Sequence, residues 1–169
     1  MMHNFKEDYI TTEVGPIHFY KLGKGPPVLL LHGYPQCSLM WEETATILSE
    51  NYTTIIPDLR GYGDSAAPKG LHDHSNYSKR VMALDMVQVL DYLSVDKASI
   101  VGHDRGGRVA HRLARDHRDR VSSLSVIDIC PTLDMYEQTS KDFATNYFHW
   151  FFLIQDAPLP EDFIGKNPR

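Results

Sequence analysis

A carboxylate stands where a short apolar strand pattern turns into a helix pattern, at Asp104 within the Gly-rich segment Gly102–Arg108. The small residues two before and two after it, Gly102 and Gly106, allow a tight turn that projects the Asp104 side chain above a sheet. This is the sequence context of a nucleophile elbow, with Asp in the position where Ser is usual. A helix that begins here points its amides at the carboxylate and favours its negative charge. The alternative interpretation is an Asp that only caps the helix.

An Asp nucleophile implies a particular class of reaction. Serine must lose a proton before it attacks, whereas a carboxylate is already ionised at neutral pH. A carboxylate can displace a leaving group from a saturated carbon, and the product is an ester whose carbonyl carbon water can then attack. Halide displacement and epoxide opening both fit this chemistry, and ordinary serine esterase chemistry does not.

Two arginines follow the carboxylate, Arg105 directly and Arg108 one helical turn later. Residues with this spacing share a helix face, so the two guanidinium groups could clamp a substrate carboxylate. Arginine on a helix is more often a solvated surface residue. We favour substrate binding because both arginines lie beside a carboxylate nucleophile.

The elements that must position these residues are those of an α/β protein, with a mostly parallel sheet and flanking helices. Ser38 and Ser78 are predicted helix N-caps, and a polar, Gly-rich loop follows the third strand at 58–65. The predicted strands are 17–20 (antiparallel), 28–31, 53–57, 98–101 and 121–127, and the predicted helices are 38–49, 78–93 and the segment from the elbow to about 117.

Composition excludes several classes of protein. The 169 residues carry a net charge of −5, which disfavours a nucleic-acid binder, and 42% hydrophobic content is ordinary for a globular chain. The two cysteines, Cys37 and Cys130, are too few for a disulfide scaffold and lack metal-ligand spacing. There is no signal-peptide pattern and no apolar run of about 18 residues. We expect a soluble, cytoplasmic protein of about one domain, without a metal or a membrane partner.

Five segments together resemble the α/β hydrolases, and more narrowly the fluoroacetate (haloacetate) dehalogenases. The loop His32–Gln36 and the elbow are shared with epoxide hydrolases. The two arginines and the pair His149-Trp150 carry the narrower resemblance. The segments are His32–Gln36, Asp58–Ser65, Gly102–Arg108, Asp128 and His149-Trp150.

The resemblance implies roles for Tyr34 and for the residues of the elbow. Asp104 would attack the substrate α-carbon, and Arg105 and Arg108 would bind the substrate carboxylate. The backbone N–H of Tyr34 would bind the oxyanion formed during ester hydrolysis, with Arg105 supplying the second donor.

Residues nearer the C-terminus complete the implied site. Asp128 would orient the catalytic histidine, or alternatively form a turn. His149 and Trp150 would offer ring N–H groups to the departing halide, where the alternative is aromatic packing. In this fold the order along the chain is nucleophile, acid, histidine, yet the only histidine after Asp128 is His149.

The base histidine is therefore expected further on, after a completed cap. We expect residues 1–131 to form the N-terminal part of the hydrolase core and residues 132–169 to begin a helical cap. The strand that ends at Asp128 would then lie at an unpaired sheet edge.

The resemblance favours a cofactor-independent hydrolase that converts a small haloacid, such as fluoroacetate, to glycolate and halide. Two alternatives stay open: an epoxide hydrolase, which also uses an elbow Asp but usually places Trp after it, and a non-catalytic or truncated α/β-hydrolase-fold protein that lacks the base histidine. Arg105 counts against the first alternative. The sequence leaves a homodimer open.

Overall fold

The computed structural model describes residue 2 and residues 4–166. The chain forms two compact units, Met1–Cys130 and Pro131–Arg169. This division lies one residue before the boundary between residues 131 and 132 that the sequence suggested. The identification of the second unit as the start of a cap stays a prediction.

The first unit is built on a six-stranded sheet. The strands are β1 (Lys6–Thr12), β2 (Gly15–Leu22), β3 (Pro27–Leu31), β4 (Thr53–Pro57), β5 (Ala98–His103) and β6 (Val121–Ile127). Their order in the sheet is β1-β2-β4-β3-β5-β6. β2 pairs antiparallel with β1 and with β4, whereas β4, β3, β5 and β6 pair in parallel.

Three α-helices belong to the first unit: α1 (Glu42–Leu48), α2 (Lys79–Tyr92) and α3 (Arg105–Asp116). Four short helices form the second: α4 (Thr132–Glu137), α5 (Lys141–Asn146), α6 (Phe148–Phe152) and α7 (Leu159–Lys166). Ser78 caps α2 as predicted, because its side chain accepts a hydrogen bond from the Val81 N–H.

The register of the parallel strands brings their carboxyl ends to one edge of the sheet. β3 is buried from Val28 to Leu31, as an apolar central strand should be. Leu31 at its end pairs with Gly102 of β5, and His103 pairs with Ile127 of β6. The loops that follow β3, β5 and β6 therefore leave the sheet at the same edge, where ligands bind in open α/β sheets.

The structure corrects three sequence-based assignments. β1 was not predicted, because its first three residues are charged and it pairs only with β2. The segment 38–49 is a 3-10 turn, Ser38–Trp41, followed by the short helix α1. Ser38 is not an N-cap: Cys37 holds that position, and the Ser38 N–H donates to Asp58 Oδ1 at 2.7 Å.

Two further sequence-based expectations were that β5 ends at residue 101 and that β6 lies at an edge of the sheet. β5 extends two residues beyond Val101, to His103. β6 is the outermost strand on its side of the sheet and is exposed along most of its length.

Candidate active site

Asp104 sits in the turn between β5 and α3, so the predicted strand–turn–helix arrangement is confirmed. Its backbone adopts φ +48° and ψ −115°, a conformation that non-glycine residues rarely adopt. Such strain is of order 1–3 kcal/mol and persists where surrounding structure enforces it. Here the Asp104 N–H donates to the Ile127 carbonyl at 3.1 Å, which ties the elbow to the end of β6.

Three glycines make room for this turn. A Cβ atom at Gly102 would collide with the Gly106 carbonyl, and one at Gly106 would collide with the Leu31 carbonyl. A Cβ at Gly33 would lie 2.5 Å from the Asp104 Cβ. The elbow and the loop after β3 can therefore approach each other closely only because these positions lack side chains.

The loop after β3 turns a backbone donor towards the nucleophile position. The Tyr34 N–H donates to Asp104 Oδ1 at 2.8 Å. Buried His32 holds the loop in place: its Nε2 accepts from the Leu59 N–H at 2.9 Å, and its Nδ1 lies 3.0 Å from the Gly33 carbonyl oxygen. Burial lowers the pKa of His32, against a smaller opposing effect of the Gly33 carbonyl, which fits a neutral ring that both accepts and donates.

Buried Asp58 anchors two loops at the same sheet edge. It accepts from the Ser38 N–H at 2.7 Å, from the Asp64 N–H at 3.0 Å, and lies 2.8 Å from His18 Nδ1. Burial alone would raise the pKa of Asp58, but the hydrogen bonds from His18 and the two loops lower it to about 2. This anchoring role of Asp58 was not predicted from the sequence.

His18 is paired on both sides of its ring. Its Nε2 lies 3.1 Å from Glu7 Oε1, opposite the contact with Asp58. Burial lowers the pKa of His18, and the two carboxylates outweigh this and raise it. Ligand atoms of His18, Asp58 and Asp64 lie within 4.8 Å of one another, and both ring nitrogens of His18 already face carboxylates, those of Asp58 and Glu7.

Positive charge gathers beside Asp104. The Arg105 guanidinium carbon lies 5.7 Å from the centroid of the Tyr34 ring. At the start of α2, burial and then Arg105 and Arg108 lower the pKa of Lys79 to about 8, whereas Asp104 acts in the opposite direction. The structure thus brings together Tyr34, Asp104 and Arg105, and Arg108 lies one turn further along α3.

Tyr62 is another residue close to the loop after β3. The pKa of Tyr62 is raised, chiefly because the phenol is buried. Arg105 opposes this shift and Asp104 adds to it, so the phenol lies within the electrostatic field of the elbow. Its ring packs edge-on against His32, with centroids 5.1 Å apart. Tyr62 lies in the Gly-rich loop 58–65, which the sequence identified as a motif without assigning this residue a role.

Asp128 directly follows β6, next to the Ile127 carbonyl that accepts from Asp104. It is exposed and has φ +52°. The two predicted catalytic carboxylates therefore leave neighbouring parallel strands at one sheet edge. The role of Asp128 in orienting a histidine stays a prediction.

His149 and Trp150 lie in α6 of the second unit. The Trp150 ring packs against Tyr136 and Phe143, with centroid distances of 5.8 and 6.4 Å. The His149 ring lies 6.1 Å from that of Tyr147. Both rings thus lie near aromatic side chains of the same unit, and halide binding by them stays a prediction.

No helix within residues 4–166 is long and apolar enough to cross a membrane.

The chain is similar to known proteins of the α/β-hydrolase fold. Residues 26–162 match the family model described as alpha/beta hydrolase fold. A Burkholderia sp protein named fluoroacetate dehalogenase is 50% identical over 146 residues, which cover 86% of this chain and 48% of that protein. A soluble epoxide hydrolase from Corynebacterium sp. (strain C12) is 41% identical over 117 residues, 69% of this chain and 39% of that protein.

A solved structure agrees with these sequence matches. The crystal structure of a Nostoc sp PCC 7120 protein described as an alpha/beta hydrolase superposes with a TM-score of 0.94 at 52% identity, covering 99% of this chain and 58% of that one. The chain spans about half the length of the curated relatives it matches, 48% of one and 39% of the other. The six-stranded sheet, the elbow and these matches agree with one another. The chain belongs to the α/β-hydrolase fold family.

Proposed function

We propose that the protein hydrolyses the carbon–halogen bond of haloacetates, including fluoroacetate, through an ester on Asp104, and releases glycolate and halide. The observation that carries the proposal is the Tyr34 N–H bonded to Asp104 Oδ1 at 2.8 Å, with Arg105 and Arg108 following on α3. The 50% identity to the Burkholderia protein named fluoroacetate dehalogenase supports the choice of substrate. No cofactor takes part.

In the first step, Asp104 attacks the α-carbon of the haloacetate. Tyr34 holds Oδ1, which leaves Oδ2 to form the new C–O bond while the halide departs with the electron pair of the C–X bond. Two carboxylates that approach to about 4 Å repel each other by roughly 4 kcal/mol at an effective dielectric constant of about 20. The guanidinium groups of Arg105 and Arg108 offset this repulsion and orient the substrate.

In the second step, water attacks the carbonyl carbon of the Asp104 ester. The developing oxyanion is Oδ1, the oxygen that already accepts from the Tyr34 N–H. A donor placed in advance at this position is typically worth 10²–10³ in rate, about 2.7–4 kcal/mol. Collapse of the tetrahedral intermediate releases glycolate and restores a carboxylate that carries one oxygen from water.

A histidine oriented by Asp128 would remove the proton from that water. Because His149 and Trp150 would bind the halide, the base would be a histidine other than His149. His149 and Trp150 would donate ring N–H groups to the departing halide. Fluoride needs such donors most, because it is small and strongly hydrated.

Epoxide hydrolysis is the second candidate, favoured by the 41% identity to the Corynebacterium enzyme. An elbow Asp can open an epoxide by the same covalent route. Arg105 and Arg108 argue for the haloacid instead, since an epoxide offers no carboxylate for them to bind. A non-catalytic protein of this fold is the third possibility that the test separates.

The test uses the full-length protein with chloroacetate and styrene oxide in parallel. We expect chloride release without opening of the epoxide. In a single turnover in ¹⁸O-water, the label should enter Asp104 before it enters glycolate, and Asp104→Asn should abolish chloride release. Label in glycolate alone would mean that water attacks the substrate directly, epoxide opening alone would favour the second candidate, and inactivity on both substrates would favour the third.

A further inference from the structure

The Gly33–Tyr34 peptide carries the backbone donor that faces Asp104, and its carbonyl end is bound as well. Its N–H donates to Asp104 Oδ1 at 2.8 Å. Its carbonyl oxygen accepts from the Gln36 N–H at 2.9 Å and lies 3.0 Å from His32 Nδ1. A peptide unit is planar, so groups that fix the direction of its carbonyl also fix the direction of its N–H.

The hydrogen bonds of His32 determine which ring nitrogen carries the proton. Nε2 accepts from the Leu59 N–H at 2.9 Å and therefore carries no proton itself. In a neutral ring the proton is then on Nδ1, which donates a hydrogen bond to the Gly33 carbonyl oxygen, a group that can only accept. Burial is the largest influence on the pKa of His32 and lowers it, which favours this neutral form. The ring thus links Leu59 to the peptide that faces the nucleophile position.

The Leu59 N–H that fixes this tautomer is itself held by buried neighbours. The next residue, Arg60, forms a buried ion pair with Asp85, in which Nε and Nη2 donate to the two carboxylate oxygens at 2.9 and 2.7 Å. The Tyr62 ring packs edge-on against His32, with centroids 5.1 Å apart. The fully buried His32 ring is therefore fixed in position as well as in tautomer.

Gly33 makes such support necessary. A Cβ at position 33 would lie 2.5 Å from the Asp104 Cβ, so the close approach of the two loops requires glycine. Glycine also gives the backbone the most conformational freedom, which allows the Gly33–Tyr34 peptide to rotate its N–H away from Asp104. A donor bonded to the carbonyl opposes this rotation. It also strengthens the N–H as a donor, because linked hydrogen bonds polarise one another.

We propose that His32 is a positioning residue for ester hydrolysis, which fixes and polarises the Gly33–Tyr34 peptide through its Nδ1–H. The inference rests on the proposed function and deepens it by assigning the strength of the oxyanion donor to a buried side chain behind the loop. The oxyanion forms only in the second step. A weaker donor should therefore slow hydrolysis of the Asp104 ester and leave its formation unchanged, so that the ester accumulates.

The test compares His32→Asn and His32→Gln in the full-length protein, with chloroacetate as substrate. Asparagine places an N–H near the position of Nδ1 and can keep the bond to the Gly33 carbonyl. Glutamine places a carbonyl oxygen near the position of Nε2 and can keep the bond from the Leu59 N–H. The two variants therefore separate the donor function of the ring from its acceptor function.

Thr54→Val is the control for loss of stability alone. The buried Thr54 hydroxyl donates to the Leu22 carbonyl at 3.2 Å. Thr54 pairs with Val28 near the start of β3, whereas His32 follows the end of that strand. Melting temperatures of the three variants are measured beside the kinetics.

We expect His32→Gln to lower kcat about 10-fold, less than the loss of a whole oxyanion donor. KM should fall in proportion, so that kcat/KM changes less than about 2-fold. Chloride should appear in a burst of about one equivalent per site, and mass spectrometry of the quenched protein should show the ester on Asp104. His32→Asn and Thr54→Val should keep kcat within about 3-fold of the wild type. Equal kcat losses in the two His32 variants, or a loss without accumulated ester, would assign His32 a structural role only.

NMR measurements that need no turnover separate failure of this inference from failure of the proposed function. In the wild type, ¹⁵N-labelled His32 should carry its proton on Nδ1, and the Tyr34 amide proton should move upfield in His32→Gln but not in His32→Asn. If the wild type releases no chloride but shows these signals, the reaction is wrong and the positioning of the donor by His32 stands. If it releases chloride while His32 carries its proton on Nε2, or while the Tyr34 amide responds equally in both variants, the reaction stands and this role of His32 is wrong.

Discussion

The backbone N–H of Tyr34 donates a hydrogen bond to Asp104 Oδ1 at 2.8 Å, across 70 residues of chain. Before the reaction, one carboxylate oxygen of the proposed nucleophile is thus bound by the Tyr34 N–H. The same donor would bind the oxyanion that forms during hydrolysis of the ester. The other oxygen is left for attack. The close approach depends on Gly33, since a Cβ there would lie 2.5 Å from the Asp104 Cβ.

Gly33→Ala should therefore damage the site more than the fold. The methyl group displaces either the Asp104 side chain or the Tyr34 amide, and loss of one oxyanion donor lowers kcat by roughly 10²–10³. The measurement is halide release by the full-length variant together with its melting temperature. Gly70→Ala is the matched control, because a Cβ there meets only His74 Nδ1 at 3.9 Å. Equal turnover in the two variants would mean that the Tyr34–Asp104 contact is not used in the reaction.

The arginine pair should discriminate by substrate charge. Lysine cannot reproduce the planar fork of a guanidinium, and a hydrogen bond to a charged group is worth about 1.5–3 kcal/mol. Arg105→Lys or Arg108→Lys should therefore lower kcat/KM for chloroacetate by about 10-fold or more. Chloroacetamide should be a poor substrate already and should lose less.

Arg115→Lys, at an exposed position of the same helix, is the control for this comparison. Equal losses on chloroacetate and chloroacetamide would assign Arg105 and Arg108 to structure and not to substrate binding.

Trp150→Phe should affect fluoroacetate more than chloroacetate. Phenylalanine keeps an aromatic ring for packing against Tyr136 and Phe143 but removes the indole N–H. An interaction gained as negative charge develops on the halogen affects kcat more than binding. We expect a loss of about 2–3 kcal/mol in activation free energy for fluoroacetate, on the scale of one oxyanion-type donor, and a clearly smaller loss for chloroacetate. Halide release from both substrates measures this, and losses in equal proportion would leave Trp150 with a packing role only.

The charged network around His18 should make stability depend on pH. Asp58 and Glu7 raise the pKa of His18 in the folded state against the effect of burial, so its contribution is fully present below the ordinary value of 6.5 and is lost as pH rises through the folded pKa. Asp58 contributes in the opposite direction: its pKa is lowered to about 2, so its stabilisation is present above 3.8 and is lost as pH falls through the folded value.

His18→Gln isolates the first of these effects. The difference in free energy of unfolding between wild type and variant should be larger at about pH 5.5 than at about pH 8.5. Urea denaturation at the two pH values measures it. Buried His32 titrates with the opposite sign, because burial lowers its pKa, but it is present in both proteins and cancels in the difference. A difference that does not change with pH would show that His18 is neutral in the folded protein.

The sequence by itself determined the features that depend on neighbouring residues. The apolar run 28–31, the strand 53–57 and the Ser78 cap follow from local patterns, and the structure has each of them. The elbow was predictable because glycines at 102 and 106 flank one carboxylate at a strand–helix junction. Family resemblance then supplied candidate roles for Tyr34, Asp128, His149 and Trp150.

Only the tertiary structure decided which distant groups meet. Strand order and register bring the loop after β3 against the elbow, so that Tyr34 reaches Asp104. The pairing of β2 with β1 and β4 places His18 between Glu7 and Asp58. No local pattern contains these contacts, because each depends on hydrogen bonding and apolar burial between segments that are far apart along the chain.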